Sequence, residues 1–210
     1  MSLHLFPTAT DAVIDLGNPS HAHISILDIG WSLAQTNRYY GHCVRPYSVA
    51  EHSLLVSDIL ARQGFDAHAQ MMGLMHDAHE AYCGDLHPYT KLVLGWAWRN
   101  HEATLERAVR SAFWLHTAYH VHHEAVERAD KAALACELRD LKDRPEQMTL
   151  LSPDQETCHW VQLATAERAA RNWEYWRDAF VDRYYELDAA RTGLIGGPAH
   201  AIRLWRSTAR

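Results

Sequence analysis

We predict an all-α fold, a bundle of helices preceded by a small N-terminal β-hairpin. Between residues 49 and 141, apolar residues recur at spacings of three and four, as in the pair Leu55 and Ile59. This period is typical of helices that surround a shared core. Turn-forming residues stop the pattern at Gly64 and at 84–88. The chain has 210 residues and is 48% hydrophobic, which suits one globular domain with a substantial core.

The N-terminal part is expected to begin with a loose arm, because residues 1–9 show no clear period. Residues 11–16 and 23–26 are short apolar runs, and the turn-forming segment 17–20 separates them. This arrangement is typical of a β-hairpin. A pair of strands this short cannot carry a fold by itself.

The first predicted helix covers 29–35, with Asp28 as its N-cap. The segment 39–46 reads as a loop that brings Arg38 close to the start of the next helix. Longer helices are then expected in quick succession, over the ranges 49–63, 66–82, 92–115 and 122–141.

The C-terminal part is expected to combine a loop with a further helical segment. Residues 142–154 are polar and contain two prolines, which indicates a loop. Residues 155–187 return to helical character with a dense aromatic set, which would close the core or pair subunits. The tail is expected to be flexible up to a strand or turn at 201–205. We therefore expect a single domain over 1–210, with a core at about 28–141 and a helical extension at about 155–190.

Composition argues against three classes of protein. The net charge is −6 with mixed signs, so polymeric nucleic acid, which binds basic surfaces by counterion release, is not an expected partner. No apolar run approaches the roughly 20 residues that span a bilayer, so a membrane protein is not expected either. The cysteines form no CxxC pair and follow no secretory leader, which indicates reduced thiols in a cytoplasmic protein. They are Cys43, Cys83, Cys136 and Cys158.

The stretch 73–85 carries adjacent His76 and Asp77 inside an otherwise apolar run. Neighbouring residues of a helix project about 100° apart, so the two side chains can reach one point from two directions. Glu80 lies one turn after His76. This arrangement suits a divalent metal ion with a nearby acid. Such an ion needs at least four ligands, so other segments must supply the remainder.

Two polar residues on core-facing stripes are candidates for these further ligands. His52 shares a helical face with Val56, and Asp130 lies one turn after Val126. Burying an imidazole or a carboxylate without a partner is costly, and a shared metal ion would compensate both. Neighbouring acids leave the register of the last ligand open, and these are Glu127, Glu137, Asp140 and Asp143.

The order His, His-Asp, Asp resembles that of the HD-domain superfamily of metal-dependent phosphohydrolases. Three phrases narrow the resemblance: residues 37–42 read NRYYGH, residues 45–53 read RPYSVAEHS, and residues 76–88 read HDAHEAYCGDLHP. They look like the YfbR-type branch, which hydrolyses nucleoside phosphates. The similarity extends over roughly 28–141 and implies an HD-domain helical bundle.

The resemblance implies one divalent metal ion per site. Its ligands would be His52, His76, Asp77 and Asp130. Two nitrogens and two carboxylates leave positions open for water and substrate. Such a set suits Mn²⁺, Co²⁺ or a similar first-row ion, with weak selection among them. An ion of this kind activates water and neutralises a phosphoryl oxygen in metal-assisted hydrolysis.

The resemblance also assigns roles to five other residues. Glu80 matches the catalytic acid, which would position the attacking water or manage a proton. Arg38 matches an arginine that grips phosphate, and Asp85 matches a residue that meets the sugar hydroxyl. Tyr39 replaces a tryptophan of the nucleotidase relatives, which leaves sugar and base preference open. Lys91 is a further candidate for a phosphate contact.

These residues favour hydrolysis of a small-molecule nucleotide. By resemblance, the first expectation is a 5′-deoxynucleotidase that releases phosphate from deoxynucleoside monophosphates. The alternative within the family is a phage-type deoxynucleoside triphosphate triphosphohydrolase. The alternative of another class is a metal-bound nucleotide sensor without turnover. Relatives often form dimers or larger rings, so the resemblance also implies a homodimer or larger homo-oligomer.

Two further groups of histidines receive a structural interpretation. The run 116–123 contains four histidines. It is interpreted as a polar helix end or loop rather than a second metal site, because no carboxylate or cysteine is in register with it. His79 and Cys83 lie one turn apart without a third partner in the sequence, and they are interpreted as packing residues.

Overall fold

The computed structural model describes residues 4–144 and 159–193, which form a mostly helical structure with a small antiparallel hairpin at the N-terminus. The predicted all-α class is therefore confirmed. The hairpin consists of β1 (Leu5–Pro7) and β2 (Val13–Asp15). The helices are α1 (Ile26–Gln35), α2 (Val49–Arg62), α3 (Ala67–Met75), α4 (Glu80–Cys83), α5 (Pro88–Ala112), α6 (His116–Asp140), α7 (Ala166–Ala169) and α8 (Trp173–Thr192).

The hairpin uses a different first strand from the predicted one. β1 comes from the segment expected to be a loose arm, and it pairs with β2 so that Phe6 lies opposite Ile14. The predicted second strand at 23–26 is wrong. His21–His23 instead form a 3-10 turn, because the Ser20 side chain accepts a hydrogen bond from the backbone N–H of Ala22.

Helix α1 begins earlier than predicted, and Asp28 does not cap it. Ser25 is the N-cap, and its side chain accepts from the backbone N–H of Leu27. The buried Asp28 carboxylate accepts instead from the backbone nitrogen of Thr10 at 2.8 Å and from its hydroxyl at 2.9 Å. Asp28 therefore fastens the hairpin to the helical core.

Helix α3 lies in the middle of the bundle, where it packs against α2, α6 and α8. Ile59 from α2, Leu74 from α3 and Phe180 from α8 are fully buried at the centre of this packing. Trp176 and Tyr184 are also buried. The aromatic helix therefore closes the core, which is one of the two roles that its sequence suggested.

The predicted helix over 66–82 is interrupted. α3 ends at Met75, and the backbone N–H groups of Ala78 and Glu80 then bond to the carbonyls three residues earlier, in a tight turn. α4 begins at Glu80. The His76–Asp77 doublet therefore lies in a turn between two helices, and not inside one helix.

The remaining helices differ from the prediction mainly at their ends. α5 begins at Pro88 and bends at Gly95, which has φ 69°. α6 begins at His116, so the histidine-rich run forms its first two turns. The predictions of a loop at 142–154 and of a strand or turn at 201–205 fall largely or wholly outside the described residues.

In the described ranges, Cys43 and Cys83 are free thiols. Cys158 lies outside those ranges. Among the helices of the described ranges, none combines the length and the apolar character that a bilayer span requires.

Helices α2 and α3 approach each other closely at Gly73. A Cβ atom added there would lie 2.6 Å from Leu60 Cδ1 and 3.3 Å from the backbone nitrogen of Ser57. We expect Gly73→Ala to lower the free energy of unfolding by about 1–3 kcal/mol, because the packed core cannot absorb the extra methyl group. Urea unfolding followed by circular dichroism measures this change. Unchanged or higher stability would contradict the close approach, since helix propensity alone favours alanine by roughly 0.5–1 kcal/mol.

Candidate metal centre

Four side chains that the sequence proposes as metal ligands meet at one place. His52 comes from the first turn of α2, His76 and Asp77 come from the turn after α3, and Asp130 comes from the middle of α6. Ligating atoms of His52, His76 and Asp130 all lie within 4.8 Å of one another. Asp77 lies beside them, with its Oδ2 at 3.1 Å from His76 Nε2. The fold therefore joins positions that are far apart in the chain.

The distances between these atoms fit a shared ion. His52 Nε2 is 3.2 Å from His76 Nε2 and 3.1 Å from Asp130 Oδ1. Asp77 Oδ2 is 3.7 Å from His52 Nε2. Nitrogen and oxygen ligands lie about 2.0–2.2 Å from a first-row metal ion such as Zn²⁺, so two ligands of one ion are about 3 Å apart. The residues present therefore suit a divalent ion in both spacing and chemistry.

The hydrogen bonds of the two imidazoles indicate which nitrogens are available to a metal. His76 Nδ1 lies 2.7 Å from the carbonyl oxygen of Gly73. His52 Nδ1 lies 2.6 Å from Glu137 Oε1. Because both oxygens are acceptors, each Nδ1 carries a proton and each neutral ring presents the lone pair of Nε2 to the cluster. Two lone pairs facing each other at 3.2 Å repel unless a positive charge lies between them.

The pKa values show that the cluster favours positive charge. Burial and Arg38 lower the pKa of His52, but Glu137 and Asp130 outweigh them and raise it to about 9. Burial opposes ionisation of Asp77, yet the neighbouring histidines and Arg38 hold its pKa well below the usual range. Without a metal ion, the cluster binds a proton, and a metal cation that binds to the cluster would displace this proton.

Glu137, which the sequence suggested only as one alternative to Asp130, contacts the centre in a different way. Its side chain is fully buried on α6, two turns after Asp130. It accepts hydrogen bonds from His52 Nδ1, from the Tyr39 hydroxyl, and from Arg38 Nε and NH2 at 3.3 and 3.1 Å. Burial opposes its charge, but Arg38 and His52 lower its pKa, so the carboxyl is ionised. Glu137 follows Asp130 by seven residues, so the two side chains lie on the same helical face. This spacing is the sequence signal that points to Glu137.

Arg38 reaches the centre from the loop that precedes α2, as predicted. Its backbone nitrogen donates to the carbonyl of Tyr47 at 2.9 Å, which fixes the loop to the helix start. Its NH1 lies 3.6 Å from Asp77 Oδ2. Tyr39 and Tyr40 follow in the left-handed region, with φ values of 55° and 54°. Two consecutive non-glycine residues in this region are strained, and such strain is common at binding sites.

Glu80 begins α4 and lies beside the cluster. It is 4% exposed, and its Oε2 has no hydrogen-bond partner in the described structure. Its Oε1 is 3.7 Å from Lys91 Nζ. Burial raises the pKa of Glu80 well above its usual value, and Asp77 and Asp85 add to this effect. A pKa shifted in this direction by burial is typical of carboxyl groups that transfer a proton in a reaction.

Asp85 and Lys91, the other predicted substrate contacts, lie on the same side as Glu80. Burial raises the pKa of Asp85, and Arg38 and Asp77 act on it through charge. Lys91 Nζ is 2.6 Å from Glu102 Oε1. The hydroxyl of Tyr39, another predicted substrate contact, is bound to Glu137 within the protein.

A second group of ligating side chains consists of His79, Glu80 and Glu102. His79 therefore has acidic neighbours that its pairing with Cys83 did not suggest. The Lys91 ammonium, 2.6 Å from Glu102 and 3.7 Å from Glu80, already supplies a cation to this group. Within the described ranges, the run 116–123 contributes to no group of metal-ligating side chains.

A cavity of about 320 Å³ opens between α5 and α6 beside the cluster. Such a volume lies at the lower end of the range for small-ligand pockets. One wall consists of His76, Asp77 and Asp130. Apolar side chains line the middle, including Met72, Met75, Val109 and Val126. The basic side chains of the lining are Lys91, Arg99 and Arg110. Three of the four candidate ligands therefore border a space that a small molecule can enter, and the fourth, His52, lies buried behind them.

No known protein-family model matches the chain. It is similar to the uncharacterized protein YfdR of Escherichia coli, with 36% identity over 119 residues, covering 56% of this chain and 61% of that protein. It is also similar to an uncharacterized protein of Rhodobacter capsulatus, with 36% identity over 124 residues, covering 57% of this chain and 62% of that protein. The matched region thus spans less than two thirds of each relative.

Proposed function

We propose that this protein is a metal-dependent phosphohydrolase of the HD-domain type that acts on nucleotides. The first choice of reaction is release of phosphate from deoxynucleoside 5′-monophosphates. The observation that carries the proposal is the meeting of two imidazole Nε2 atoms and two carboxylates at one point beside an open cavity. Glu80 and Arg38 border the same point, so an acid and a phosphate-binding cation accompany the ligands.

His52, His76, Asp77 and Asp130 would hold one divalent ion, and their mixed nitrogen and oxygen atoms suit Mn²⁺ or Co²⁺. An ion bound there lowers the pKa of a water molecule and neutralises charge on a phosphoryl oxygen. The tautomers set by Gly73 and Glu137 keep both Nε2 atoms available for this task.

Arg38 and Glu80 would carry out the remaining steps. Glu137 anchors Nε and NH2 of Arg38, which leaves NH1 to donate to a phosphoryl oxygen. Glu80, with its raised pKa, would take a proton from the attacking water or deliver one to the leaving oxygen. Lys91 stabilises the ionised form of Glu80 from 3.7 Å.

A triphosphohydrolase is the second candidate, because three basic side chains line the cavity beyond the ligands. One phosphate group needs fewer cationic side chains than the three found here, Lys91, Arg99 and Arg110. Glu102 lies 2.6 Å from Lys91 and Glu106 lies 2.5 Å from Arg110. These ion pairs reduce the positive charge that is available to a ligand. A sensor without turnover is disfavoured by Glu80, because burying a carboxyl without a hydrogen bond is costly and binding does not require it.

A product panel tests the proposal. Metal-free protein is incubated with Mn²⁺ or Co²⁺ and the mono- and triphosphates of the four deoxynucleosides, and the products are separated by ion-exchange chromatography. We expect inorganic phosphate and nucleoside from the monophosphates, and no product in the presence of EDTA. Asp130→Asn, purified in the same way, controls for contaminating phosphatases.

The other outcomes of the panel identify the competing functions. Release of triphosphate from a deoxynucleoside triphosphate would select the second candidate. Nucleotide binding by equilibrium dialysis with no product from any substrate would contradict hydrolysis and favour the sensor.

A further inference from the structure

We propose that Glu137 is a positioning residue that orients the metal ligand His52 and the phosphate-binding Arg38 through one carboxylate. The inference rests on the proposed function, since it assigns a role at the same site. It concerns a residue outside the ligand set.

The two oxygens of Glu137 have separate partners. Oε1 is 2.6 Å from His52 Nδ1. Oε2 accepts from Arg38 Nε at 3.3 Å, from Arg38 NH2 at 3.1 Å, and from the Tyr39 hydroxyl. No part of the side chain reaches solvent, so water cannot replace any of these bonds. One rigid group therefore connects the metal side of the centre to its phosphate side.

The effect on His52 follows from its tautomer. Donation of the Nδ1 proton to Glu137 leaves the Nε2 lone pair directed at the cluster, and it also prevents rotation of the ring. Metal-binding histidines commonly donate their second nitrogen to a carboxylate in this way, and loss of the partner typically weakens metal binding 10–100-fold.

The effect on Arg38 concerns a strained loop. Tyr39 occupies the left-handed region at φ 55°, a conformation that persists only when surrounding contacts enforce it. Glu137 accepts hydrogen bonds from the guanidinium of Arg38, which precedes the strained position, and from the hydroxyl of the strained Tyr39. The carboxylate therefore holds the loop in the conformation that presents Arg38.

Another buried glutamate shows what a purely structural ion pair looks like in this protein. Glu51 is as buried as Glu137, and it binds Arg45 at 2.7 and 2.8 Å and Arg168 at 2.7 Å. Neither arginine contacts the metal ligands in the described structure. Glu137 instead binds the candidate ligand His52 and the candidate phosphate-binding Arg38, and this difference separates positioning from structural support.

Glutamine at position 137 keeps the shape but has only one acceptor oxygen. If that oxygen accepts from Arg38 and Tyr39, the amide NH₂ group faces His52 Nδ1. The imidazole must then carry its proton on Nε2, where it blocks a metal ion. If the amide turns over, Arg38 loses its acceptor. The charged guanidinium competes more strongly for the oxygen, so we expect the first arrangement.

The test compares Glu137→Gln with Glu51→Gln as a matched control. The dissociation constants of Mn²⁺ and Co²⁺ are measured on folded, metal-free protein by competition with a chromophoric chelator, and circular dichroism verifies folding. We expect Glu137→Gln to bind either ion at least 10-fold more weakly, and Glu51→Gln to stay within about twofold of the parent. The KM for the hydrolysed nucleotide is expected to rise further in Glu137→Gln, through displacement of Arg38.

Unchanged metal affinity in folded Glu137→Gln overturns the proposal, whatever happens to the KM. An equal loss in Glu51→Gln overturns it as well, because the effect would then reflect general destabilisation. If Glu137→Gln does not fold, Glu137→Asp replaces it, since aspartate keeps the charge but ends one methylene short of His52 Nδ1. A parent protein that binds metal but hydrolyses nothing would contradict the proposed function and leave this inference standing.

Discussion

His76→Ala is expected to lose metal binding and hydrolysis together. Nε2 of His76 lies at the centre of the ligand set, 3.2 Å from His52 Nε2 and 3.1 Å from Asp77 Oδ2. Its removal leaves three ligands, His52 and the two acids, which is fewer than the four that a divalent ion needs. We expect affinity for Mn²⁺ to fall by more than about 100-fold, the upper limit for a residue that only supports a ligand. Activity should fall at least as far.

Thermal unfolding provides a measurement of this loss that does not depend on catalysis. A metal ion at 100 times its dissociation constant stabilises a folded protein by about 2.7 kcal/mol. Mn²⁺ should therefore raise the Tm of the parent and leave that of His76→Ala unchanged. His68→Ala, which replaces an exposed histidine of the preceding helix α3, is the control and should behave as the parent does. Retention of the metal-induced shift in His76→Ala would contradict the proposed centre.

Glu80→Gln is expected to keep the metal ion and lose most of the activity. The variant preserves the volume of the side chain and all four candidate ligands. It removes the group that would exchange a proton, an effect worth roughly 10²–10⁴ in rate. Metal titration and the product assay measure the two properties separately. Hydrolysis at the parental rate would show that Glu80 is not the acid or base of the reaction.

Glu80→Gln is expected to increase the stability of the protein, although it lowers the activity. The pKa of Glu80 is raised in the folded protein, chiefly by burial and then by Asp77 and Asp85. Its contribution to stability is therefore complete below the unfolded pKa of about 4.3, and it is lost as the pH rises through the higher folded pKa. Glutamine does not titrate. The Tm of metal-free Glu80→Gln should thus rise relative to the parent between pH 4 and pH 8.

Glu124→Gln serves as the control for this pH series. Glu124 lies on α6 with its side chain 89% exposed, so its replacement should change neither activity nor the pH dependence of stability. A difference between Glu80→Gln and the parent that shrinks as the pH rises would contradict the raised pKa.

Burial of Glu80 without a hydrogen bond also illustrates how an active site can conflict with stability. A protein optimised for stability alone would place an apolar or amide side chain there. The left-handed Tyr39 and Tyr40 show the same conflict in the backbone. Both features lie beside the candidate metal centre, and this position supports a functional interpretation of the region.

Some features of the site were predictable from local sequence. The period of three and four from Val49 onward defined both ends of α2 and the C-terminal end of α6 to within one residue, because a helix forms between residues that are near neighbours in the chain. The polar residues His52 and Asp130 stood out against the apolar stripes of those helices. The doublet His76–Asp77 stood out in the same way, although the helix around it is interrupted.

Other features depended on contacts between distant parts of the chain. The strand that pairs with β2 and the partner of Asp28 both came from the first ten residues, which have no periodic signal. The carboxylate that orients His52 lies 85 residues away from it in sequence. In sequence, Glu137 is one of several acids near the end of α6, and only its spacing of seven from Asp130 distinguishes it from its neighbours.

The sequence by itself determined the helical class, the positions of most helices and the residue types that a metal centre requires. Each of these follows from spacing along the chain and from the chemistry of single side chains. Only the tertiary structure decided that the four candidate ligands converge, that a cavity borders them and that Glu137 joins the ligands to Arg38. The reason is physical: packing of α2, α3 and α6 sets these distances, and packing depends on residues far apart in the chain.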